Sequence, residues 1–238
     1  MEDIPILYRD EHLLIVNKPA GLRSIADGYD PSLPHLANIV QQKHGRLWTV
    51  HRLDKDTSGV IIFTRTPEAH RHLSLQFEQR LVRKEYHAIV LGTPEWEVYE
   101  AALPLRVNGD RHHRTVVDLV NGQPAATSLR VLANYSYQPA AQPASPVPLS
   151  LIAAAPRSGY THQIRAHLAA LRLPLVGDPL YKSLHPDDRS RTVVQLPIQR
   201  TALHALRVTF AHPATGNSMA VEAPYPLDFQ ETLALLDR

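Results

Sequence analysis

Many short apolar runs, turn residues between them and only three stretches of helical periodicity predict an α+β fold. The chain has 238 residues, 44% of them hydrophobic and 20% charged. That is enough to bury a substantial core, and the reading is one domain over residues 1–238.

The elements follow in order. His12–Val16 (HLLIV) and Val60–Thr64 (VIIFT) are compact apolar runs that read as strands. Thr66 is a helix N-cap, with Pro67 at the first helical position and Ala69, Leu73 and Phe77 on one face. Tyr86–Leu91 alternates, placing Tyr86, Ala88 and Val90 on one side of a strand. Val116–Val120 and Thr127–Leu132 flank Asn121-Gly122 and predict a hairpin. Gln138–Pro148 holds four prolines and reads as a surface loop between strands or as a flexible boundary between two lobes. Leu149–Ala154 is a further strand. A helix is expected over Thr161–Leu171, with Ile164, Leu168 and Leu171 buried. Strands at Ala205–Phe210 and Met219–Glu222 precede a last helix, capped by Asp228 with Glu231 three residues on.

Composition narrows the chemistry. The chain has no cysteine, which excludes disulfides, thiolate metal sites and a cysteine nucleophile. His162 and His167 are five residues apart and lie on different faces of their helix, so no metal site is expected. No apolar run approaches the roughly 18 residues that span a bilayer, and the N-terminus lacks a signal-peptide core. The expectation is a cytoplasmic, monomeric protein with no membrane partner. Phosphate-loop, dinucleotide and nucleophile-elbow motifs are absent. Net charge is only +2, but 20 of the 25 basic residues are arginine, which suits bidentate phosphate contacts and base stacking.

Four segments concentrate reactive side chains. His51–Val60 (HRLDKDTSGV) precedes a strand; either Asp54 or Asp56 can be a working carboxylate, and the same residues also favour a simple turn. Tyr86 follows Arg83 and Lys84; it is either a base-stacking residue or an ordinary strand aromatic. In SGYTHQIRAHL, Arg165 falls at the margin of the buried helix face, where it can reach a carboxylate or stay at the surface. LPLVGDPLY, Leu173 to Tyr181, reads as a tight loop re-entering the fold, with Asp178 either bracing it or serving as a catalytic residue.

Together these segments resemble the RluA family of RNA pseudouridine synthases. NKPAGL (Asn17–Leu22), HRLDKDTSG, RKEYHAIV, GYTHQIRAHLAALRLPLVGDPLY and LHALRVTFAHPATG with EAPYPLDF resemble its motifs in order over residues 8–229. The resemblance implies the pseudouridine synthase fold: a mostly antiparallel mixed sheet with flanking helices and a central catalytic cleft. It implies Asp54, rather than Asp56, as the catalytic aspartate, Tyr86 as the active-site tyrosine and Arg165 as the arginine that pairs with the carboxylate. It further implies Arg52 as the residue filling the space left by a flipped uridine. Arg111 and Arg114, beside Arg106, are candidates for an RNA-binding rim, though they also suit a solvated loop.

The implied partner is a stem-loop of ribosomal or transfer RNA. No cofactor is implied, because the isomerisation has no redox step. No preceding S4-type RNA-binding domain is expected. Two departures stand out: Tyr160 follows Gly159 where the family usually has arginine, and Arg23-Ser24-Ile25 follows Leu22 where many relatives have His-Pro. The competing readings are a catalytically silent RNA-binding protein of the same fold and a carboxylate-dependent hydrolase of nucleosides or glycosides.

Overall fold

The computed structural model describes residues 3–139, 146–181 and 195–237. The chain divides into two compact units. One comprises Met1–Glu85 with His204–Tyr225, the other Tyr86–Leu203 with Pro226–Arg238. Among the described residues no helix is long and apolar enough to cross a membrane.

In the first unit, β1 (Ile6–Arg9), β2 (Leu13–Lys18) and β4 (Ser58–Thr64) pair antiparallel in that order. The two-residue β3 (Trp48–Thr49) adds to β4. β11 (Leu203–Ala211) runs parallel to β4 through His204 and Ala205, and β12 (Ser218–Glu222) pairs antiparallel with β11. Every residue of β4 is buried, which is why it reads as a continuous apolar run rather than an alternating one. Its Ile61 and Phe63 pack with Leu14 and Val16 of β2 against Leu36 and Val40 of α1 (Leu36–His44). Each such side chain contributes roughly 1.5–3 kcal/mol on burial. α2 (Pro67–Glu78) starts where expected, and the Thr66 hydroxyl accepts the Ala69 N–H.

The second unit is an antiparallel sheet of β5 (Arg83–Leu91), β10 (Val147–Pro156), β9 (Thr127–Tyr137) and β6 (Val98–Ala101). β7 (Leu105–Arg106) and β8 (Val116–Val117) form a separate two-stranded ribbon. Ala88 and Val90 of β5 face Ile164 and Leu168 of α3 (Gln163–Ala170), with Tyr86 packed on the same cluster. The α+β class is therefore as the sequence predicts, and the mixed, mostly antiparallel pairing is as the family resemblance implies.

Four local expectations are corrected. α1 has no counterpart in the sequence reading. The Asn121-Gly122 hairpin does not form: β8 pairs with β7, and β9 pairs with β10 and β6. Asn121 and Gly122 instead close a turn on Asp118, whose carboxylate accepts the Val120 and Asn121 N–H groups while its carbonyl accepts that of Gly122. Residues 140–145 of the proline-rich segment lie outside the described residues, but Val147 and Pro148 belong to β10. Pro148 is tolerated there because its carbonyl accepts the Gly92 N–H just past the end of β5, where a missing donor breaks no strand pairing. Finally, α4 (Leu227–Leu236) is preceded by Pro226, and Asp228 lies in its first turn. Asp228 pairs with Arg200 instead of capping the helix.

Two features of the first unit have measurable consequences. Gly59 has φ +118°, and a Cβ there would meet the Ala205 carbonyl oxygen at 2.2 Å. Gly59→Ala is expected to cost about 3 kcal/mol or more in urea unfolding, because neither partner of the β4–β11 contact can yield. Gly28→Ala, where a Cβ meets open space, is expected to stay within about 0.5 kcal/mol of wild type.

His51 stacks on Phe77 at 4.9 Å, and its Nε2 accepts the Ile62 N–H at 2.9 Å. The proton of the neutral ring is therefore on Nδ1. Burial, and secondarily the charge of Lys84, push this imidazole down to about 3. The unfolded chain takes up a proton as pH falls through about 6.5 and the folded chain does not. Stability contributed by His51 is therefore full above about 6.5 and is lost toward pH 3. The stability gap between wild type and His51→Phe, measured by urea unfolding, is expected to narrow from pH 7.5 to pH 4. A gap independent of pH would refute this.

Candidate active site

In the first unit the segment between β3 and β4 carries Asp54, on a short turn in which its carbonyl accepts the Thr57 N–H at 3.2 Å. The turn reading and the carboxylate reading of this segment thus describe the same residues. Asp54 and Asp56 are half-buried, and Arg52 and Lys55 are exposed.

The backbone on either side of Asp54 is held by side chains from Lys18–Ser24. Before it, the Ser24 hydroxyl accepts the Leu53 N–H at 3.0 Å and donates to the Leu53 carbonyl at 2.8 Å. After it, the Lys18 ammonium donates to the Lys55 carbonyl at 2.9 Å. Lys18 is fully buried and also donates to the carbonyls of Pro19 and Leu22. A buried ammonium is tolerated here because three carbonyl dipoles replace its hydration.

Further along, the Ser58 hydroxyl lies 3.0 Å from His204 Nδ1, and His204 Nε2 lies 3.0 Å from the Ala223 carbonyl. That carbonyl can only accept, so Nε2 carries the proton and Ser58 donates to Nδ1. This buried chain ties the end of the loop to β11. Sequence reasoning missed Lys18 and His204 as structural residues. NKPAGL and LHALRVTF marked their neighbourhoods but not their contacts.

In the second unit, Tyr86 opens the β5 pairing opposite Ala154. Arg165 is not at the margin of α3, as expected, but buried at 5% exposure. α3 is buried on all sides from Gln163 to Ala169, so it has no margin. The guanidinium is compensated by Asp178, with Nε–Oδ2 at 2.7 Å and Nη2–Oδ1 at 2.8 Å, and it lies 5.0 Å from the centre of the Tyr181 ring. Asp178 does brace its loop, as the sequence suggested: it also accepts the N–H groups of Leu180 and Tyr181. Gly177 precedes it with φ +68°, and any Cβ there would meet the Arg200 carbonyl oxygen at 2.2 Å.

Tyr181 was passed over in the sequence, yet it supports the Arg165 guanidinium. Its hydroxyl accepts the Thr115 N–H and donates to the Thr115 carbonyl, and burial pushes it up to about 12. Gln163 satisfies its buried amide through Ser158, Tyr160 N–H, the Ala126 carbonyl and Thr127. His167 is held between Thr127 and the Leu103 carbonyl, which gives this histidine a structural task. Tyr160, where an arginine is usual, packs with Leu105, Ala166 and Tyr181.

The arginines between β7 and the residues after Gly109 are not equivalent. Arg114 binds Asp110 at 2.7 Å and the Leu180 carbonyl at 2.9 Å. Hydrogen bonds from the Arg114 backbone and side chain hold Asp110 down to about 2. Arg106 is paired with Asp118. Arg111 is exposed, and its Nε donates to His112. The structure groups Arg52 with Asp54 on one loop and Arg165 with Asp178. Asp54 belongs to the first unit, and Tyr86, Arg165, Arg111 and Arg114 to the second.

The RNA pseudouridylate synthase family model matches residues 12–170. The chain is 38% identical to ribosomal large subunit pseudouridine synthase D of Nitrosomonas europaea, over 98% of this chain but only 65% of that relative. It is 36% identical to the dual-specificity RNA pseudouridine synthase RluA of Escherichia coli K12, over 92% of each. Among solved structures, human RNA pseudouridylate synthase domain containing 1 superposes with a TM-score of 0.74 at 26% identity, covering 94% of this chain and 84% of that one. Motif order, fold and these likenesses agree, and the chain belongs to the RNA pseudouridylate synthase family.

Proposed function

We propose that this chain isomerises uridine to pseudouridine in structured ribosomal or transfer RNA, with Asp54, Tyr86 and Arg165 as its catalytic residues within one catalytic domain. The relatives named for large-subunit ribosomal RNA and for dual specificity support these two substrate classes. The observation that carries the reading is the loop around Asp54. A half-buried carboxylate stands on a backbone held from both sides, which is the preorganisation an attacking or charge-stabilising group needs.

In the reaction the bond from N1 of uracil to C1′ of the ribose breaks. The base turns, C5 bonds to C1′, the C5 proton leaves to water and N1 takes up a proton. Mass is unchanged and no electron acceptor is needed. Asp54 supplies the carboxylate that attacks or stabilises the cationic centre. Arg165 is the cationic member of the proposed set, its own plane fixed by Asp178 and Tyr181. Tyr86, at the start of β5, stacks on the uracil. A stacked uridine is out of reach of any side chain, so it must be flipped out, and exposed Arg52 fills its place.

The decisive measurement is tritium release from transcripts labelled at C5 of uridine, with the product checked for unchanged mass. Asp54→Asn is expected to lower the single-turnover rate by roughly 10⁴-fold with RNA affinity retained. Asp56→Asn is expected to cost far less. An Asp54→Asn enzyme within tenfold of wild type would refute the assignment, and release of free uracil would point to a hydrolase.

RNA binding is tested by salt titration. Arg111→Ala is expected to reduce the slope of log affinity against log salt by about 0.7, one single-strand phosphate contact, for all RNAs alike. Arg114 contributes to the same rim through its remaining N–H groups, and Arg114→Ala also breaks the Asp110 pair. Arg52→Ala is expected to slow turnover of a stem-loop more than of an unstructured strand. Equal losses on both would make Arg52 an ordinary phosphate contact.

A further inference from the structure

We propose that Ser24 is a positioning residue for Asp54, acting through the backbone of Leu53; this rests on the assignment of Asp54 made above. Ser24 is 3% exposed, and its hydroxyl binds one residue twice, as acceptor for the Leu53 N–H and as donor to the Leu53 carbonyl. Leu53 is itself buried and lies outside any strand, so these two contacts replace the pairing that a neighbouring strand would supply.

Ser24 is in turn fixed from behind. Its carbonyl accepts the Ala37 N–H at 3.1 Å and that of Arg23 accepts the Leu36 N–H at 2.8 Å. These are first-turn donors of α1, a helix anchored in the core by Leu36 and Val40. The path from the core to the carboxylate is thus α1, the Ser24 backbone, the Ser24 hydroxyl, the Leu53 peptide and Asp54.

On the far side Lys18 holds the Lys55 carbonyl. With the residues on both sides held, the backbone of Asp54 is left little freedom to swing its side chain. Releasing the Leu53 side frees the torsions leading into Asp54, and small rotations there displace the carboxylate by about 1 Å. A misplacement of that size costs on the order of 10²-fold in rate. A hydroxyl on a short side chain is needed for this task. Alanine has no polar atom, and a thiol is a longer and weaker donor and acceptor.

The test compares Ser24→Ala, Ser24→Cys and Thr66→Ala in the full chain. Thr66→Ala removes the α2 cap and matches the loss of a local hydrogen bond away from Asp54. Single-turnover rates are read by tritium release from C5-labelled transcripts of 23S ribosomal RNA and transfer RNA, and affinities by filter binding on the same transcripts. Ser24→Ala is expected to lose roughly 30- to 100-fold in rate with affinity within about threefold of wild type. Ser24→Cys is expected to fall between the two, and Thr66→Ala to stay within about threefold in rate.

A Ser24→Ala rate within threefold of wild type, or a loss no larger than that of Thr66→Ala, overturns the proposal. If Ser24→Ala does not fold, Ser24→Cys turning over as fast as Thr66→Ala overturns it equally. Asp54→Asn separates the two levels. If it is inactive while the Ser24 variants are fast, only the Ser24 inference fails; if it is active, the reading of Asp54 fails.

Discussion

A charged arginine inside a protein must be paired, and Arg165 sets that constraint for the second unit. Its burial is compensated by both oxygens of Asp178, which meet the guanidinium in parallel geometry. That requirement reaches outward. Asp178 must be held, so it takes the N–H groups of Leu180 and Tyr181. The chain must approach it tightly, so a glycine with positive φ precedes it against Arg200. Tyr181 must lie against the guanidinium, and Thr115 grips its hydroxyl with both backbone groups. A loop that looks like a simple connection is therefore a support for one side chain.

The first unit solves a different problem with the same economy of contacts. The turn that carries Asp54 has no strand partner, so side chains take the part of strands. Ser24 and Lys18 bind backbone carbonyls and one N–H on either side of Asp54, and the Ser58–His204–Ala223 chain secures the exit into β4. A loop held this way keeps the backbone of its half-buried aspartate at a fixed place.

The elements that were legible from sequence are those with a strong local signal. β4 and the apolar part of β5 show themselves by composition, and α2 by Thr66 and Pro67. The family and its motifs could be read from the order of five segments along the chain. α1 was not legible: His35 provides no side-chain cap and no acidic residue occupies its first turn. Its first donors are satisfied by the carbonyls of Arg23 and Ser24, thirteen residues earlier in the chain. The Asn121-Gly122 hairpin failed for the converse reason. The dipeptide does make a turn, but strand partners are chosen by burial and register across the whole sheet, and β9 pairs with β10 and β6.

By itself the sequence determined the class of fold, the absence of thiol chemistry, the family and the short list that contains Asp54, Tyr86 and Arg165. The fold class follows from local propensities and the thiol exclusion from composition, while the family and its short list follow from the resemblance of five ordered motifs; none of these needs knowledge of what lies across space. Tertiary structure alone decided that Arg165 is buried rather than marginal, that Asp178 and Tyr181 are its support, that Arg114 is engaged by Asp110, and that Ser24 and Lys18 hold the backbone beside Asp54. Each of these rests on a contact between groups that are not neighbours in the chain, and most of the pairs are separated by ten residues or more. Whether such a pair forms depends on desolvation and on where the chain returns, and neither quantity is written in any local stretch of residues.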